Sequence, residues 1–296
     1  MAETAPRDVP ESKATHIKRI DLRLFSYPME GAGPGGIDLP GAKGSRARIA
    51  VQIETNDGAI GAYVGGQANS LAQAATCAKA VLGKDCFARE QAYEDIRRHL
   101  RKEDRMGAGV IDCALWDLAG HRLDASVAQM LGGARRSVKA YASTWFGGDG
   151  GGLSTPEAYA DFAEECYEMG YRAFKMHGWS DGGIQKDIGA VLELGKRVGG
   201  RMALMHDSAC SSKTFADALA VGRACDEAGF FWYEDPYSDG GLSAHSHRRL
   251  RELIKTPLLL GEHVRGLESL ATLVLADGTD FVRADPDFDM GITGTM

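Results

Sequence analysis

The spacing of hydrophobic residues changes twice along the chain. Between residues 16 and 65, text such as RIAVQIETNDGAIGAYVGG alternates apolar and polar positions around an Asn-Asp-Gly turn. This period of two predicts an antiparallel meander of strands. The Gly/Pro-rich stretch MEGAGPGGIDLPGAKG interrupts the alternation, so we expect a long, mobile loop at about residues 29–44.

Residues 70–132 follow the helical period instead. Three segments place apolar residues three and four positions apart: SLAQAATCAKAVLG, AREQAYEDIRRHLRKE and AGVIDCALWDLAGHRL. Strands that are followed by segregated helices are typical of an α+β domain. We therefore predict such a domain at residues 15–136, preceded by a polar, disordered tail at residues 1–14.

From Ser137 onward, short apolar runs alternate with amphipathic helical stretches. The series begins with VKAYAST and TPEAYADFAEECYEMG and ends with the sixth run, FVRAD. This alternation predicts a parallel sheet, either doubly wound or closed as a (β/α) barrel. No GxGxxG follows a first strand and no GxxxxGK[ST] occurs, so a nucleotide-binding doubly wound sheet has little support.

Composition narrows the classes of function. The chain is 44% hydrophobic and 25% charged, with a formal net charge of −7 and no Lys/Arg cluster, so we do not expect a nucleic-acid partner. The six cysteines form no CxxC pair and indicate reduced thiols in a cytoplasmic protein. No apolar window is long enough for a membrane helix, and the first residues lack the apolar centre of a signal peptide.

Ionisable residues mark the ends of five successive apolar runs. These are Lys175 and His177 on one run, followed by Asp207, Glu234, Glu262 and Asp285, each separated by about one βα unit. In a βα barrel the carboxyl ends of all strands open onto one mouth, so these side chains would converge there. Their positions favour the barrel over the open sheet.

Three of these carboxylates suit a metal ion. Asp207, Glu234 and Glu262 would repel one another unless a hard divalent cation bound them, and Mg²⁺ prefers oxygen ligands in octahedral geometry. The alternative is that each acidic residue caps the following helix, as Asp207-Ser208 or Asp235-Pro236 could. Three consecutive strands with caps of this kind are much less expected than one metal site.

Lys175 and His177 lie two positions apart, so both side chains face the same side of their strand. A lysine near a divalent ion can act as a base or as an electrostatic clamp, and histidine titrates near neutral pH. The alternative for His177 alone is a polar strand-end residue packed under Trp179. Beside Lys175 and three carboxylates, we favour a catalytic role.

Several motifs together resemble one family. FKMHGW is similar to the K-x-K/H/R motif on the second barrel strand of the enolase superfamily, and WYEDP to its W-x-E-x-P motif. LLLGEH resembles the fifth-strand Gly-Glu and RADPDFDMGITG the sixth-strand pattern. AGVIDCALWDLAGHRL followed by QMLGG resembles the stretch that joins capping domain and barrel. Their joint order identifies the chain with the mandelate racemase/muconate lactonizing enzyme branch, among its acid-sugar dehydratase-like members.

The resemblance implies a structure, a cofactor and residue roles. The fold would be an α+β N-terminal capping domain at residues 15–136, followed by a partial α/β TIM-type (β/α) barrel at 137–296. Mg²⁺ would bind Asp207, Glu234 and Glu262. Lys175 and His177 would flank the substrate, and Asp285 would be the acid half of an Asp-His dyad. A homo-oligomer is also implied.

Two features depart from the family pattern. The third-strand D-x-N motif is here Asp207-Ser208-Ala209, which removes an amide contact. The sequence also ends after the sixth predicted barrel strand. We therefore expect a truncated chain without the strand that would carry the dyad histidine. Neither remaining candidate substitutes for it, because His206 has the opposite strand parity to Asp207 and His263 lies beyond Glu262.

The function expected from these residues is Mg²⁺-dependent dehydration of a sugar acid. Abstraction of the proton α to a carboxylate requires a cation that stabilises the enediolate, and expulsion of hydroxide requires an acid. Residues 29–44 would close over the site as a lid.

Two alternatives stay open: a racemase or epimerase on the same scaffold, and an inactive truncated homologue. Arg283 shares strand parity with Asp285 and would pair with it or with substrate, in competition with Arg265 and His263.

Overall fold

The computed structural model describes residues 15–32, 38–134, 137–148, 152–179 and 183–296. The proposed tail at residues 1–14 lies outside these ranges, as does the predicted boundary at residue 136. Within the described ranges, no helix combines the length and apolar content that crossing a bilayer requires.

The described residues form an antiparallel sheet with helices, followed by a parallel β/α sheet, which confirms the predicted fold class. The strands are β1 Ile17–Ala32, β2 Asp38–Thr55, β3 Ile60–Gly65, β4 Ala142–Ser143, β5 Ala173–His177, β6 Ala203–Asp207, β7 Trp232–Glu234, β8 Leu258–Leu260 and β9 Phe281–Val282. The helices are α1 Leu71–Val81, α2 Arg89–His99, α3 Gly109–Leu123, α4 Val127–Met130, α5 Pro156–Glu168, α6 Ile184–Val198, α7 Phe215–Ala228, α8 Ala244–Arg251, α9 Leu267–Leu275 and α10 Gly291–Thr295.

The prediction of a long loop at residues 29–44 is wrong for the part of that stretch that is described. Strands β1 and β2 pair from Ile17↔Thr55 to Ala32↔Asp38, so the described part of the Gly/Pro-rich stretch forms an extended two-stranded ribbon. β1 lies at the edge of the sheet among the described strands. Pro28 is tolerated there because an edge strand can turn a missing N–H toward solvent.

The parallel sheet runs in sequence order from β4 to β9. Its strands are in one register, with His177 opposite Asp207 and Asp207 opposite Glu234. Apolar side chains of the strands and of α5, α6 and α7 form a core that includes Tyr159, Phe174 and Leu194. The carboxyl ends of the strands are therefore held in line by a packed layer beneath them.

Short caps place the helices of this domain. Thr155 accepts a hydrogen bond from the amide of Ala158 at the start of α5, and Thr214 accepts one from Asp217 at the start of α7. Ser243 caps α8 in the same way. Thr214 and Ser243, and not Asp207 or Asp235, begin the helices that follow β6 and β7. The capping alternative for these acidic residues is therefore wrong.

The end of the chain packs on the N-terminal domain. The side chain of Asp112 on α3 accepts hydrogen bonds from the amide and the hydroxyl of Thr293, at 3.0 and 2.7 Å. The indole of Trp116 also donates to Thr293, and Met290 joins the core of β1–β3 and α1–α3. Residues after β9 thus join the two domains.

Candidate active site

The carboxyl ends of β6, β7 and β8 bring the predicted metal ligands together. One oxygen from each of Asp207, Glu234 and Glu262 lies within 4.8 Å of the others. The side chains of Asp207 and Glu234 are almost fully buried, whereas that of Glu262 is 37% exposed. The site is therefore a cleft that is open on one side.

Two cationic side chains balance these charges. The ammonium group of Lys175 lies 2.7 Å from Asp207 Oδ2 and 3.0 Å from Glu234 Oε2. The guanidinium group of Arg283 contacts Glu234 at 3.3 Å and also pairs with Glu262. Arg283 therefore pairs with the predicted metal ligands and not with Asp285.

The electrostatics follow from this pairing. Burial lowers the pKa of Lys175, but the negative charges of Asp207 and Glu234 outweigh it and hold the pKa above its ordinary value. Burial also raises the pKa of Asp207, yet hydrogen bonding and charge from His177 and Lys175 bring it well below the ordinary value. The pKa of Glu234 is raised, first by burial and then by the charge of Asp207. In this arrangement Lys175 is held as the charged ammonium between two carboxylates.

His177 faces Asp207 with one ring nitrogen and the backbone with the other. Its Nδ1 lies 2.7 Å from the carbonyl oxygen of Thr144, and its Nε2 lies 3.1 Å from Asp207 Oδ2. A carbonyl can only accept, so Nδ1 donates and Nε2 is the atom that can exchange a proton at the site. Phe146 packs edge-on against the ring. Lys175 and His177 thus share the face that their spacing predicts.

Asp285 has different neighbours. Its carboxylate accepts a hydrogen bond from the amide of Asp287 at 2.9 Å, and its own amide donates to Asp289 Oδ2 at 2.8 Å. Among the described residues, no hydrogen bond or ion pair joins Asp285 to a histidine. His206 is fully buried and stacks on Tyr233, away from the cleft, and His263 lies 3.6 Å from Asp235. The role of Asp285 in a dyad stays a prediction.

Two supporting residues were missed by the sequence reasoning. The indole of Trp232 donates to Glu234 Oε2 at 3.2 Å, and Thr144 holds both the amide and the ring of His177. Trp232 is two positions before Glu234 and shares its side of β7, so strand parity could have indicated it. Thr144 ends the first run of the series, as the other site residues end theirs.

A cavity of about 840 Å³ lies between the ribbon and the first βα unit. Glu30, Gly31 and Lys43 of the ribbon face Thr144 and Trp145 across it. A smaller cavity, about 330 Å³, is lined by the segment around Thr144 and by His177. The ribbon is therefore near the cleft, although its function as a lid stays a prediction.

Comparison with known proteins agrees with this architecture. Residues 40–132 match the family model of the mandelate racemase/muconate lactonizing enzyme N-terminal domain, and residues 158–296 match the enolase C-terminal domain-like model. The crystal structure of D-glucarate dehydratase from Agrobacterium tumefaciens complexed with magnesium superposes with a TM-score of 0.84. It is 28% identical, and the match covers 94% of this chain and 76% of that one.

Two curated relatives are also similar in sequence. The D-galactarolactone cycloisomerase of Agrobacterium fabrum is 28% identical over 81% of this chain, and the match spans 64% of that enzyme, less than two thirds of its length. The D-gluconate/D-galactonate dehydratase of Picrophilus torridus is 24% identical over 93% of this chain and 71% of its own. Family models and solved fold agree that the chain belongs to the enolase superfamily, in its mandelate racemase/muconate lactonizing enzyme branch.

Proposed function

We propose that this protein is a Mg²⁺-dependent hydro-lyase that dehydrates a sugar acid. The observation that carries the proposal is the convergence of Asp207, Glu234 and Glu262 from three successive strand ends beside Lys175. Dehydratases of gluconate, galactonate and glucarate among the similar proteins support the reaction class.

The residues present fit a hard cation. All three groups offer carboxylate oxygens, which Mg²⁺ prefers over nitrogen or sulfur. Second contacts hold two of them in place, because Asp207 Oδ1 accepts from the amide of Ala209 at 2.8 Å and Glu234 from Trp232. When bound, Mg²⁺ would supply positive charge where the substrate carboxylate gains electron density.

The chain's own residues would move the protons. Nε2 of His177, which lies 3.1 Å from Asp207 Oδ2, would take or return the proton α to the carboxylate. Lys175 would hold negative charge next to it as an electrostatic clamp. Asp285 would serve as the acid that protonates the departing hydroxyl group. Lys43 and Glu30, which line the cavity beside the ribbon, would provide polar contacts for the hydroxyl groups of the sugar acid.

The decisive experiment is incubation with a panel of sugar acids in the presence of Mg²⁺. We expect a 2-keto-3-deoxy acid from at least one of them, detected with semicarbazide or by mass spectrometry. Lys175→Met and Glu262→Gln should abolish the product, whereas Lys196→Met, on an exposed helix face, should not. A product that forms equally with chelator, or in Lys175→Met, would contradict the proposal.

The second candidate is a racemase or epimerase. The observation that favours it is the turn that occupies the Asp285 carboxylate, because epimerisation needs no acid to expel a hydroxyl group. The same incubations in D₂O separate the two. Deuterium in the recovered acid without a keto product would indicate epimerisation.

A further inference from the structure

A second cluster of metal-binding side chains lies beside the carboxylate site. Cys210 follows β6, Asp235 follows β7 and His263 follows β8. One ligand atom from each lies within 4.8 Å of the other two. None of these three residues belongs to the set proposed above for Mg²⁺ or for proton transfer.

Asp235 is the least satisfied member of this cluster. The residue is 1% exposed, and neither oxygen of its carboxylate accepts a hydrogen bond from the described residues. Nε2 of His263 lies 3.6 Å from Asp235 Oδ2. A buried carboxylate without hydrogen bonds is costly, so a cation at this position would stabilise it.

The backbone fixes the thiol and the carboxylate relative to each other. The amide of Cys210 donates to the carbonyl of Asp235 at 2.8 Å. Both residues adopt the left-handed conformation, with φ of +63° and +41°. The two adjacent loops therefore hold the thiol of Cys210 and the carboxylate of Asp235 close together.

We propose that Cys210, Asp235 and His263 form a second metal site that takes a borderline divalent cation, with Zn²⁺ as the type. A thiolate, an imidazole and a carboxylate are ligands that zinc accepts, whereas Mg²⁺ avoids sulfur. Zinc bonds of about 2.0–2.3 Å at a tetrahedral angle place ligand atoms roughly 3.3–3.6 Å apart. The separation of 3.6 Å between Asp235 Oδ2 and His263 Nε2 is close to that spacing.

The site has an entry path and an open position. The side chain of His263 is 43% exposed, so the cation can arrive from solvent. Three protein ligands leave a fourth tetrahedral position for water or another ligand. Asp235 directly follows Glu234, so a cation here adds positive charge next to the carboxylate set. On binding, the Cys210 thiol releases its proton to solvent and the sulfur forms the metal bond.

Cobalt(II) is the probe, because it replaces zinc and reports its ligands. The full-length protein is first saturated with Mg²⁺ and then titrated with Co²⁺ while its absorption spectrum is recorded. We expect a sulfur-to-cobalt charge-transfer band and tetrahedral ligand-field bands that saturate at one equivalent. Cys210→Ser should remove the charge-transfer band. Cys113→Ser, which alters a buried thiol outside the cluster, should leave it intact.

His263→Gln tests the site without changing a buried residue. We expect it to weaken Co²⁺ binding by on the order of tenfold or more. Glu262→Gln should weaken the response to Mg²⁺ but keep the charge-transfer band, which separates this site from the proposed catalytic one. A wild-type spectrum without the band would overturn the proposal. Equal spectra of wild type and Cys210→Ser, or loss of the band in Glu262→Gln, would also do so.

Discussion

At the residue scale, the ion pairs of Lys175 determine how the cleft responds to metal. Its ammonium group contacts two nearly buried carboxylates, Asp207 and Glu234. We predict that Lys175→Met lowers the free energy of unfolding by about 3–5 kcal/mol in chelator, because both carboxylates lose their partner. Millimolar Mg²⁺ should recover much of this loss, since a cation replaces the missing charge.

Urea unfolding of wild type and variant, each with chelator and with Mg²⁺, measures that response. Lys196→Met is the matched control, because its side chain is 76% exposed and should change neither curve. A variant whose unfolding midpoint is independent of Mg²⁺ would refute the metal assignment for this cleft.

The indole of Trp232 offers a finer test of the ligand set. It donates to Glu234, whereas the indole nitrogen of Trp179 is buried and has no hydrogen-bond partner among the described residues. Trp232→Phe should weaken Mg²⁺ binding about tenfold, because partners that orient a ligand carboxylate typically contribute this much to affinity. Trp179→Phe removes no such contact and should bind Mg²⁺ as wild type does, as measured by calorimetric titration.

For individual residues, the sequence was most informative where the spacing of strand ends and the chemistry of the side chains indicated the same positions. Asp207, Glu234 and Glu262 lie at strand ends spaced by one βα unit, and the structure brings them together. The partner of Arg283 could not be predicted, because a long side chain at the mouth reaches several acidic groups. The proximity of Cys210 and Asp235 depends on the left-handed backbone of these two residues in adjacent loops. The hydrophobic pattern of the strands does not predict such turns.

At the scale of secondary structure, the close approach of β3 and the turn after β9 joins the two domains. The amide of Gly66 donates to Asp287 at 3.0 Å, and a Cβ on Gly65 would lie 2.2 Å from Asp287 Oδ1. We predict that Gly65→Ala costs about 1–3 kcal/mol of stability, since an added methyl must displace the carboxylate of Asp287 and the ring of Tyr63, whose edge would lie 2.5 Å away. Gly200→Ala is the control, because a Cβ there meets nothing within 4 Å.

Chemical denaturation of the two glycine variants provides the measurement. If Gly65→Ala unfolds at the same urea concentration as Gly200→Ala, the contact between β3 and the turn does not contribute to stability. A drop in Mg²⁺ affinity in Gly65→Ala alone would further link this contact to the cleft, since Asp287 lies two residues beyond Asp285.

Elements differ in how far sequence predicts them. Helices α1, α2 and α3 were expected within a few residues, because each segment is long and places apolar residues three and four positions apart. The ribbon at residues 29–44 was not, because its pairing of Met29 with Gly44 is decided by a strand partner and not by local composition. Helix α10 is only five residues long and is anchored by Thr293 on Asp112, a contact between distant parts of the chain.

At the scale of the whole molecule, apolar side chains are exposed beside one edge of the parallel sheet. β9 lies at the edge of this sheet within the described ranges. Val282 on this strand is 50% exposed, Leu275 at the end of α9 is 86% exposed, and a cavity of about 400 Å³ lies between α9 and β9. Exposed strand edges and apolar patches favour association between chains.

We therefore predict that a chain of residues 1–296 self-associates through this edge and that Val282→Lys weakens this association. Light scattering after size-exclusion chromatography, over a range of concentrations, gives the average mass. Leu82→Lys is the control, since Leu82 has similar exposure on the N-terminal domain. If both variants and wild type have the same mass at every concentration, β9 and α9 are not a contact surface.

The register of the parallel strands limits where insertions and deletions can be tolerated during evolution. His177, Asp207 and Glu234 stand side by side because three strands are aligned residue for residue. Loss of one codon within β5 would exchange the sides of Lys175 and Met176 and bury the charge among apolar groups. Length variation between lineages should therefore collect in turns such as residues 238–241. This can be tested with a library of single-codon deletions that is selected for folding and then sequenced. Deletions within the strands should be absent from the variants that survive.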